Sequence, residues 1–393
     1  SAPPSELANP NIKWESTISK NLGIDFGFFD NRVYGSLDAY ITDTEDLLLR
    51  AKIPQTSGYG YQFQNSGKTR NKGLELALGA TIVNTENFTW QANFNISTNQ
   101  NKIISLGRNT SGENLEFYYE SSGWVNDIRD FKVEVGAPVG QYYGYVTEGF
   151  YDLDDFTYDA TTQEYTLRDD VPSSSAVALG SKGVNPGDLK LKDLNGDGII
   201  DDNDKKVLGN AQPDFFGGLN QQFKYKNFDL SMFFNFSVGN DVYNANKVEF
   251  TTQYLYKDNN MLEVMNNRWK WFDANGNKVK DPQALADLNQ NTTIWTPSSG
   301  QYILHSYAIE DGSFLRLSNL TFGYSLPESV LKKIGFISNF RIYGTVNNVF
   351  TLTNYTGYDP EANTRRSNPL TPGVDYAAYP RSRFYLAGVN VTF

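Results

Sequence analysis

The sequence contains no cysteine and a single histidine, His305. Without cysteine the chain has no disulfide, no thiolate nucleophile and no cysteine-based metal site. One histidine without a second nitrogen or sulfur ligand argues against a transition-metal centre, and no G-x-S-x-G motif supplies a serine nucleophile. Neighbouring carboxylates such as Asp154 and Asp155 specify no fixed geometry for glycosidase chemistry. The sequence therefore predicts that the protein is not an enzyme and that His305 has a structural place.

Long hydrophobic runs and basic clusters are also missing. No stretch offers the roughly 18 consecutive apolar residues that a membrane-spanning helix needs, which excludes a helical membrane protein. The chain has 34 Lys and Arg against 45 Asp and Glu, a net charge of −11, and lacks the basic patch of a nucleic-acid-binding protein. It is instead rich in aromatic residues, which make up 15% of the chain although the mean hydropathy is −0.50. The apolar residues must therefore be spread thinly and periodically.

Apolar and polar residues alternate in many short segments. In 88–97, for example, Phe88, Trp90 and Phe94 share one face, whereas Thr89 and Asn93 share the other. This period of two indicates β-strands with one apolar and one polar face. Clean examples lie at 22–28, 33–41, 74–82, 88–97, 228–236, 340–346 and 385–393. A less regular one at 313–326 predicts a strand with a bulge.

Such strands occur either in a soluble sandwich or in a transmembrane antiparallel β-barrel. The polar faces carry mainly Gly, Asn, Ser, Thr and Gln, which suits a wet lumen better than a solvated sheet. Short connections (29–32, 84–87, 226–227, 327–338) alternate with long ones (46–70, 99–214, 239–312, 354–383), as expected for outer-membrane barrels. Aromatic residues near the expected strand ends are candidates for interfacial girdles: Tyr143, Tyr145, Phe150, Tyr243, Tyr324 and Tyr355. The sequence thus predicts an all-β membrane barrel with long extracellular loops.

The predicted connections separate nine strands, whereas single-chain bacterial barrels have an even number. An open strand edge in lipid is not tolerated. We therefore expect this sequence to be the C-terminal part of a longer chain, unless a further strand lies within 99–214, for example at GQYYGYVTEGF.

Six stretches then resemble one family: NPNIKWES (9–16), NSGKTRNKGLEL (65–76), GAPVGQYYGYVTEGFY (136–151), GDLKLKDLNGDGIIDDNDKKVLG (187–209), GSFLRLSNLTFGYSLP (312–327) and NNVFTLTNYTGYDPE (347–361). In this order they resemble the barrel portion of SusC/RagA-type TonB-dependent outer-membrane transporters of Bacteroidota. The resemblance implies a multi-pass barrel of about 22 strands in the bacterial outer membrane, with an N-terminal plug and TonB box that this sequence lacks.

The resemblance also implies partners and a function. The partners are a SusD-like surface lipoprotein, TonB with its inner-membrane energy complex, and the lipid bilayer. The barrel-assembly machinery would read the alternating terminal residues Tyr385, Val389, Val391 and Phe393. The implied function is uptake of a large nutrient, an oligosaccharide or a peptide. Two alternatives stay open: a SusC-like scaffold in a larger outer-membrane complex, and a secreted calcium-binding β-sandwich adhesin.

The segment DLNGDGIIDDND (193–204) has the spacing of a calcium loop. Gly198 stands at position 6, where the loop turns sharply, and Asp204 replaces the usual Glu at position 12, as in dockerin-type loops. The oxygen donors predicted to bind Ca²⁺ are the side chains of Asp193, Asn195, Asp197, Asp201 and Asp204 and the carbonyl of Ile199. The alternative is an Asx-rich turn held by side-chain to backbone hydrogen bonds.

Aromatic residues in the long loops are candidate ligand contacts: Trp124, Tyr142, Tyr143, Trp269 and Trp271. They suit stacking on a sugar ring or gripping a peptide. Packing of the loops on one another is the alternative, because loops of this length need cores of their own. Within 259–272 the spacing of Leu262, Met265 and Trp269 predicts a helix.

Overall fold

The computed structural model describes residues 6–109, 111–125, 128–180, 182–255, 258–364 and 368–393. Positions 110, 126–127, 181, 256–257 and 365–367 of the predicted long loops lie outside the described residues. Among the described residues no helix has the length and apolar character needed to cross a membrane.

Nine long strands pair in chain order into one antiparallel sheet. They are β1 (Ser16–Phe28), β2 (Val33–Lys52), β3 (Tyr61–Asn84), β4 (Phe88–Leu106), β5 (Phe215–Tyr225), β6 (Phe228–Val238), β7 (Phe314–Ser325), β8 (Asn339–Thr353) and β9 (Phe384–Thr392). A two-residue strand, Glu6–Leu7, adds to the start of β3 in parallel. Within the described residues β1 and β9 are the free edges, so the sheet is open and the closed barrel of about 22 strands stays a prediction.

The register keeps the two faces of the sheet distinct. Ile24 in β1 pairs with Leu37 in β2, which pairs with Leu76 in β3 and then with Ile96 in β4. The apolar face stays open, with Leu22 74% exposed, whereas a sandwich would bury this face against a second sheet. The predicted bulge is confirmed, because the pairing of β7 with β8 shifts between Leu317 and Asn319.

Polar side chains interact with one another on the opposite face. The Tyr40 hydroxyl donates to Asn99 Oδ1 at 3.0 Å, and Asn319 Nδ2 donates to Asn347 Oδ1 at 2.8 Å. Tyr34 lies across Gly79 of the next strand, where a Cβ atom would stand 2.3 Å from the ring. Glycine at position 79 therefore lets an aromatic ring lie against this face.

The connections alternate between short and long except at 53–60, which is shorter than the connection 326–338 at the other end of the sheet. Two of the predicted boundaries are also wrong. The loop predicted at 46–70 shrinks to 53–60, because β2 continues to Lys52 and β3 begins at Tyr61. The loop predicted at 99–214 begins at 107, after β4 ends at Leu106. These strand extensions lack clean alternation, since neither of their faces is uniformly apolar.

The long connections contain small elements of their own. Their strands are Phe117–Glu120, Phe131–Glu134, Gln141–Tyr145, Thr147–Phe150, Phe156–Asp159, Glu164–Leu167, Leu189–Leu191, Lys205–Asn210, Asp241–Asn244, Ile309–Asp311 and Val374–Asp375. Their helices are α1 (Ser175–Ala178), α2 (Ala245–Glu249) and α3 (Pro282–Leu288), and the short connection before β8 contains α4 (Glu328–Ile334). The segment GQYYGYVTEGF forms two of these local strands, neither of which joins the nine-stranded sheet.

Candidate functional site

Three long connections pack together at one end of the sheet and form what we call the loop body, which comprises the described residues of 107–214, 239–313 and 354–383. One of its apolar clusters takes side chains from all three connections: Trp124, Phe131, Tyr142, Tyr243, Ala245, Val248, Tyr302, Leu304, Ala308 and Val374. Trp124 Nε1 donates to the Tyr243 hydroxyl at 2.8 Å, and the Tyr142 hydroxyl donates to the Gly373 carbonyl at 3.0 Å. These bonds join each connection to another, so the loops form one body.

Ionisable groups in this core have perturbed proton affinities. Burial raises the pKa of Tyr142 and of Tyr243, which keeps both phenols neutral. Burial also raises the pKa of Asp130 to about 6, although the backbone amide and hydroxyl of Ser122 donate to its carboxylate. A carboxyl group inside this core therefore titrates close to neutral pH.

Three of the five predicted ligand-contact aromatics are buried. Trp124 and Tyr142 belong to the core described above, and Trp269 packs on Gly187 and against the Phe150 ring. A Cβ atom at Gly187, whose φ is +88°, would stand 2.1 Å from Trp269, so only glycine fits. These three side chains hold the loops together, which agrees with the packing alternative for them.

The other two keep part of their rings accessible. Tyr143 stacks on Tyr119 with ring centroids 4.9 Å apart. It lies on one face of a four-stranded loop sheet, near Lys132, whose Nζ is 5.9 Å from the ring. Trp271 packs edge to face against Tyr165, and Lys278 Nζ lies 5.2 Å from the centroid of the Trp271 ring. Tyr143 and Trp271 are thus half-buried, beside positive charge.

The predicted helix over 259–272 is reduced to one short turn. A 3-10 helix spans Glu263–Asn267, and Met265 and Trp269 are buried as the pattern predicts. Five of the six girdle candidates lie in the loop body instead of at the ends of the nine long strands: Tyr143, Tyr145, Phe150, Tyr243 and Tyr355. The prediction fails because aromatic content alone does not distinguish a membrane rim from a loop core. Tyr324 does lie at a strand end, where its ring is 4.8 Å from Phe228.

The predicted calcium loop is closed by Asx-type turns. Asp193 accepts from the amides of Gly196 and Gly198 at 2.7 and 2.8 Å, and the Gly198 bond chiefly holds the pKa of Asp193 below its usual value. Asp197 Oδ1 accepts from the Ile199 amide at 2.9 Å, and buried Asp204 accepts from the amide of Leu194. In the described part of the chain no three His, Asp or Glu side chains converge as a metal site.

The oxygen donors of this loop are of the chemical type that calcium prefers. A carboxylate has about four lone-pair positions, so accepting one or two amide protons leaves further oxygen capacity. The remaining predicted donors, Asn195 and Asp201, stand in the same loop and also accept amide hydrogen bonds. The donor types in this loop therefore suit a hard cation, although the described side chains do not converge on one point, and Ca²⁺ binding stays a prediction.

His305 is buried, with 1% of its surface exposed. Its ring meets Trp295 edge to face at 5.3 Å, and burial lowers its pKa to about 4. A neutral imidazole packed between aromatic rings is a core residue.

One ionic cluster was not predicted from the sequence. Arg316, on β7, is 3% exposed and donates to Asp359 Oδ1 at 2.7 Å and to Glu361. Arg381 also pairs with both acids, at 2.5 and 3.1 Å. The cluster fastens connection 354–383 to the sheet wall. Its members lie up to 65 positions apart (381 − 316) in the chain, so no local sequence pattern predicts the cluster.

The predicted assembly signal lies on the edge strand β9. Tyr385, Val389 and Val391 pair with Val346, Ile342 and Phe340 of β8, and all three side chains are exposed. Phe393 is 81% exposed and stacks on Phe336, with ring centroids 6.5 Å apart. Recognition of this strand by an assembly machinery stays a prediction.

Comparison with known proteins agrees with this architecture. Residues 2–180 match the family described as TonB dependent receptor-like, beta-barrel. TonB-dependent receptor P3 of Formosa agariphila is 34% identical over 99% of this chain and 35% of its own length. TonB-dependent receptor SusC of Bacteroides thetaiotaomicron is 30% identical over 98% of this chain and 32% of its own length.

Solved structures give the same fold. The RagAB peptide importer in its closed-closed state aligns with 98% of this chain and 36% of that chain, with a TM-score of 0.70 and 23% identity. The chain spans about a third of the length of the curated relatives it matches. Along almost its whole length the chain is similar to TonB-dependent receptors, SusC among them.

Proposed function

We propose that this chain forms wall and extracellular loops of a SusC-like TonB-dependent importer of large nutrients in the bacterial outer membrane. One observation carries the proposal: an antiparallel sheet with an exposed apolar face, a polar opposite face and long connections at one end only. In a bilayer the apolar face contacts lipid and the polar face lines the lumen. An adhesin sandwich is not favoured, because it would bury that apolar face.

The loop body provides the extracellular mouth. Its core and the Arg316 cluster hold the loops to one another and to the wall, so a nutrient meets a preorganised surface. Of the five predicted contact aromatics, Tyr143 and Trp271 remain available for contact with a sugar ring or a peptide side chain. Each has a lysine nearby. Import by this route needs no covalent chemistry.

The proposed partners follow from the family. A SusD-like surface lipoprotein covers the loop body. TonB with its inner-membrane complex supplies energy through parts of the full-length protein that lie outside the third of the relatives' length that this chain matches. The barrel-assembly machinery recognises β9 through Tyr385, Val389, Val391 and Phe393. Ca²⁺ bound at 193–204 stiffens the connection next to the strand Lys205–Asn210.

The test uses cells that express the full-length protein with an affinity tag. We expect a SusD-like lipoprotein to co-purify, and uptake of one fluorescent oligosaccharide or peptide to stop when either the receptor or TonB is deleted. Wild-type receptor restores uptake. Co-purification with unchanged uptake of every nutrient tested would instead support the scaffold role and contradict the importer.

A further inference from the structure

The short helix α4 has two chemically different sides. Val330 and Ile334 are four residues apart and share one side, next to Leu331, whereas Glu328 and Lys332 share the other and form an ion pair at 2.8 Å. Leu331 is buried against the protein, but Val330 and Ile334 are 39% and 37% exposed. Half of the apolar side of α4 is therefore uncovered by described residues.

The chain after α4 adds a larger exposed apolar group. Gly335 ends the helix with φ +83°, and its amide donates to the Leu331 carbonyl at 3.0 Å. This left-handed end reverses the chain and presents Phe336, which is 68% exposed. The uncovered surface thus consists of Val330, Ile334 and Phe336, and we call it the α4 patch.

The α4 patch is continuous with the apolar face of the sheet. Phe336 stacks almost parallel on Phe393, with 7° between the ring planes. The Ser338 amide donates to the Thr392 carbonyl at 2.7 Å, which fixes the connection to the end of β9. Phe393 follows exposed Val391 and Val389 on the face that the proposed function assigns to lipid.

Charge at the end of the sheet with the short connections fits a membrane surface. Lys333 stands beside the patch and Lys332 stands on the polar side of α4, both on exposed positions. The four short connections, 29–32, 85–87, 226–227 and 326–338, contain four Lys or Arg and three Asp or Glu, although acids outnumber bases in the whole chain by 45 to 34. Long basic side chains reach headgroups while their stems rest on apolar surface.

We propose that α4 and Phe336 form an interfacial anchor that lies in the phospholipid leaflet at the end of the sheet with the short connections. The proposal rests on the proposed membrane location. The α4 patch sits at the boundary of headgroups and acyl chains, and Lys332 and Lys333 contact the headgroups. Because α4 joins β7 to β8 and is fastened to β9, the anchor sets the height of these three strands in the bilayer.

The absence of cysteine makes this proposal directly testable. Single-cysteine variants F336C, K333C and L74C of the full-length protein are labelled with a nitroxide and reconstituted into phosphatidylethanolamine and phosphatidylglycerol vesicles. Collisions with oxygen, which enters lipid, are compared with collisions with a water-soluble nickel chelate. All three positions are exposed, so labelling leaves the fold intact. Leu74, on the apolar face of β3, is the control for membrane insertion.

We expect oxygen collisions to dominate at 336 and 74, and nickel collisions to dominate at 333. Nickel access at 336 together with lipid access at 74 would overturn the anchor and leave the membrane location intact. Low access of both reagents at 336 would mean that protein covers the patch, which also overturns the anchor. Nickel access at 74 would contradict the proposed membrane location itself.

Discussion

The carboxyl group of Asp130 shows how the loop body is built at the scale of single residues. It accepts hydrogen bonds from Ser122, and its backbone carbonyl accepts from the Tyr143 amide at 2.9 Å. One buried acid thus joins the start of the connection to the strand that contains Tyr142 and Tyr143. Burial raises its pKa, so the folded loop body favours the protonated form.

This raised pKa predicts how stability depends on pH. Because the folded pKa of about 6 exceeds the usual 3.8, stability from this group is greatest at low pH and declines as pH rises from about 4 through about 6. The shift corresponds to roughly 3 kcal/mol of local stability. We expect Asp130→Asn, a neutral isostere, to flatten this dependence in amide exchange of residues 117–125 and 130–145. Exposed Asp169→Asn is the control and keeps the wild-type profile; an unchanged profile in Asp130→Asn would contradict the assignment.

Sequence reasoning identified residue types correctly but misplaced some of their roles. Trp124, Tyr142 and Trp269 are aromatic loop residues of the kind that line ligand sites. Each of them is nevertheless buried among residues from other connections. The partner of Trp124, Tyr243, lies 119 positions away. Periodicity reports only local order, so it does not show which loop residues face one another.

At the scale of elements, alternation predicts strands well where one face of the sheet is apolar and the other polar. Alternation does not predict the ends of β2 and β3. Both strands continue into 46–70, where polar residues stand on both faces. In this extension the backbone pairing of Arg50 with Phe63, and of the residues on either side of them, maintains the strands. The sheet is therefore taller than the part of it that the sequence pattern shows.

The loop 193–204 gives a prediction at this scale. In full-length protein stripped with EGTA, we expect added Ca²⁺ to slow proteolytic cleavage within 193–204. Asp197→Asn keeps an oxygen that accepts from the Ile199 amide but removes one charge, so it should weaken Ca²⁺ binding about tenfold. Asp154→Asn, an exposed acid elsewhere in the loop body, is the matched control. Equal protection with and without Ca²⁺ would show that the Asx turns alone hold the loop.

At the scale of the whole molecule, the connections differ between the two ends of the sheet, as the proposed membrane location predicts. Short links at one end give the chain little surface there, whereas the long connections at the other end gather into a body with its own cores. The sequence indicated this asymmetry because its hydrophobic alternation stops and restarts at unequal intervals. It did not indicate the Arg316 cluster or the exposed side of α4, which exist only after distant strands pair.

The central claim is that the apolar face of the nine-stranded sheet contacts lipid as part of a closed barrel. The most direct test is to fractionate cells that make the full-length protein and compare its mobility on a gel with and without heating in detergent. We predict that the protein remains with the outer membrane until detergent extracts it, and that heating shifts its mobility, as unfolding of a stable barrel requires. A protein that is recovered without detergent and migrates identically before and after heating would contradict the account.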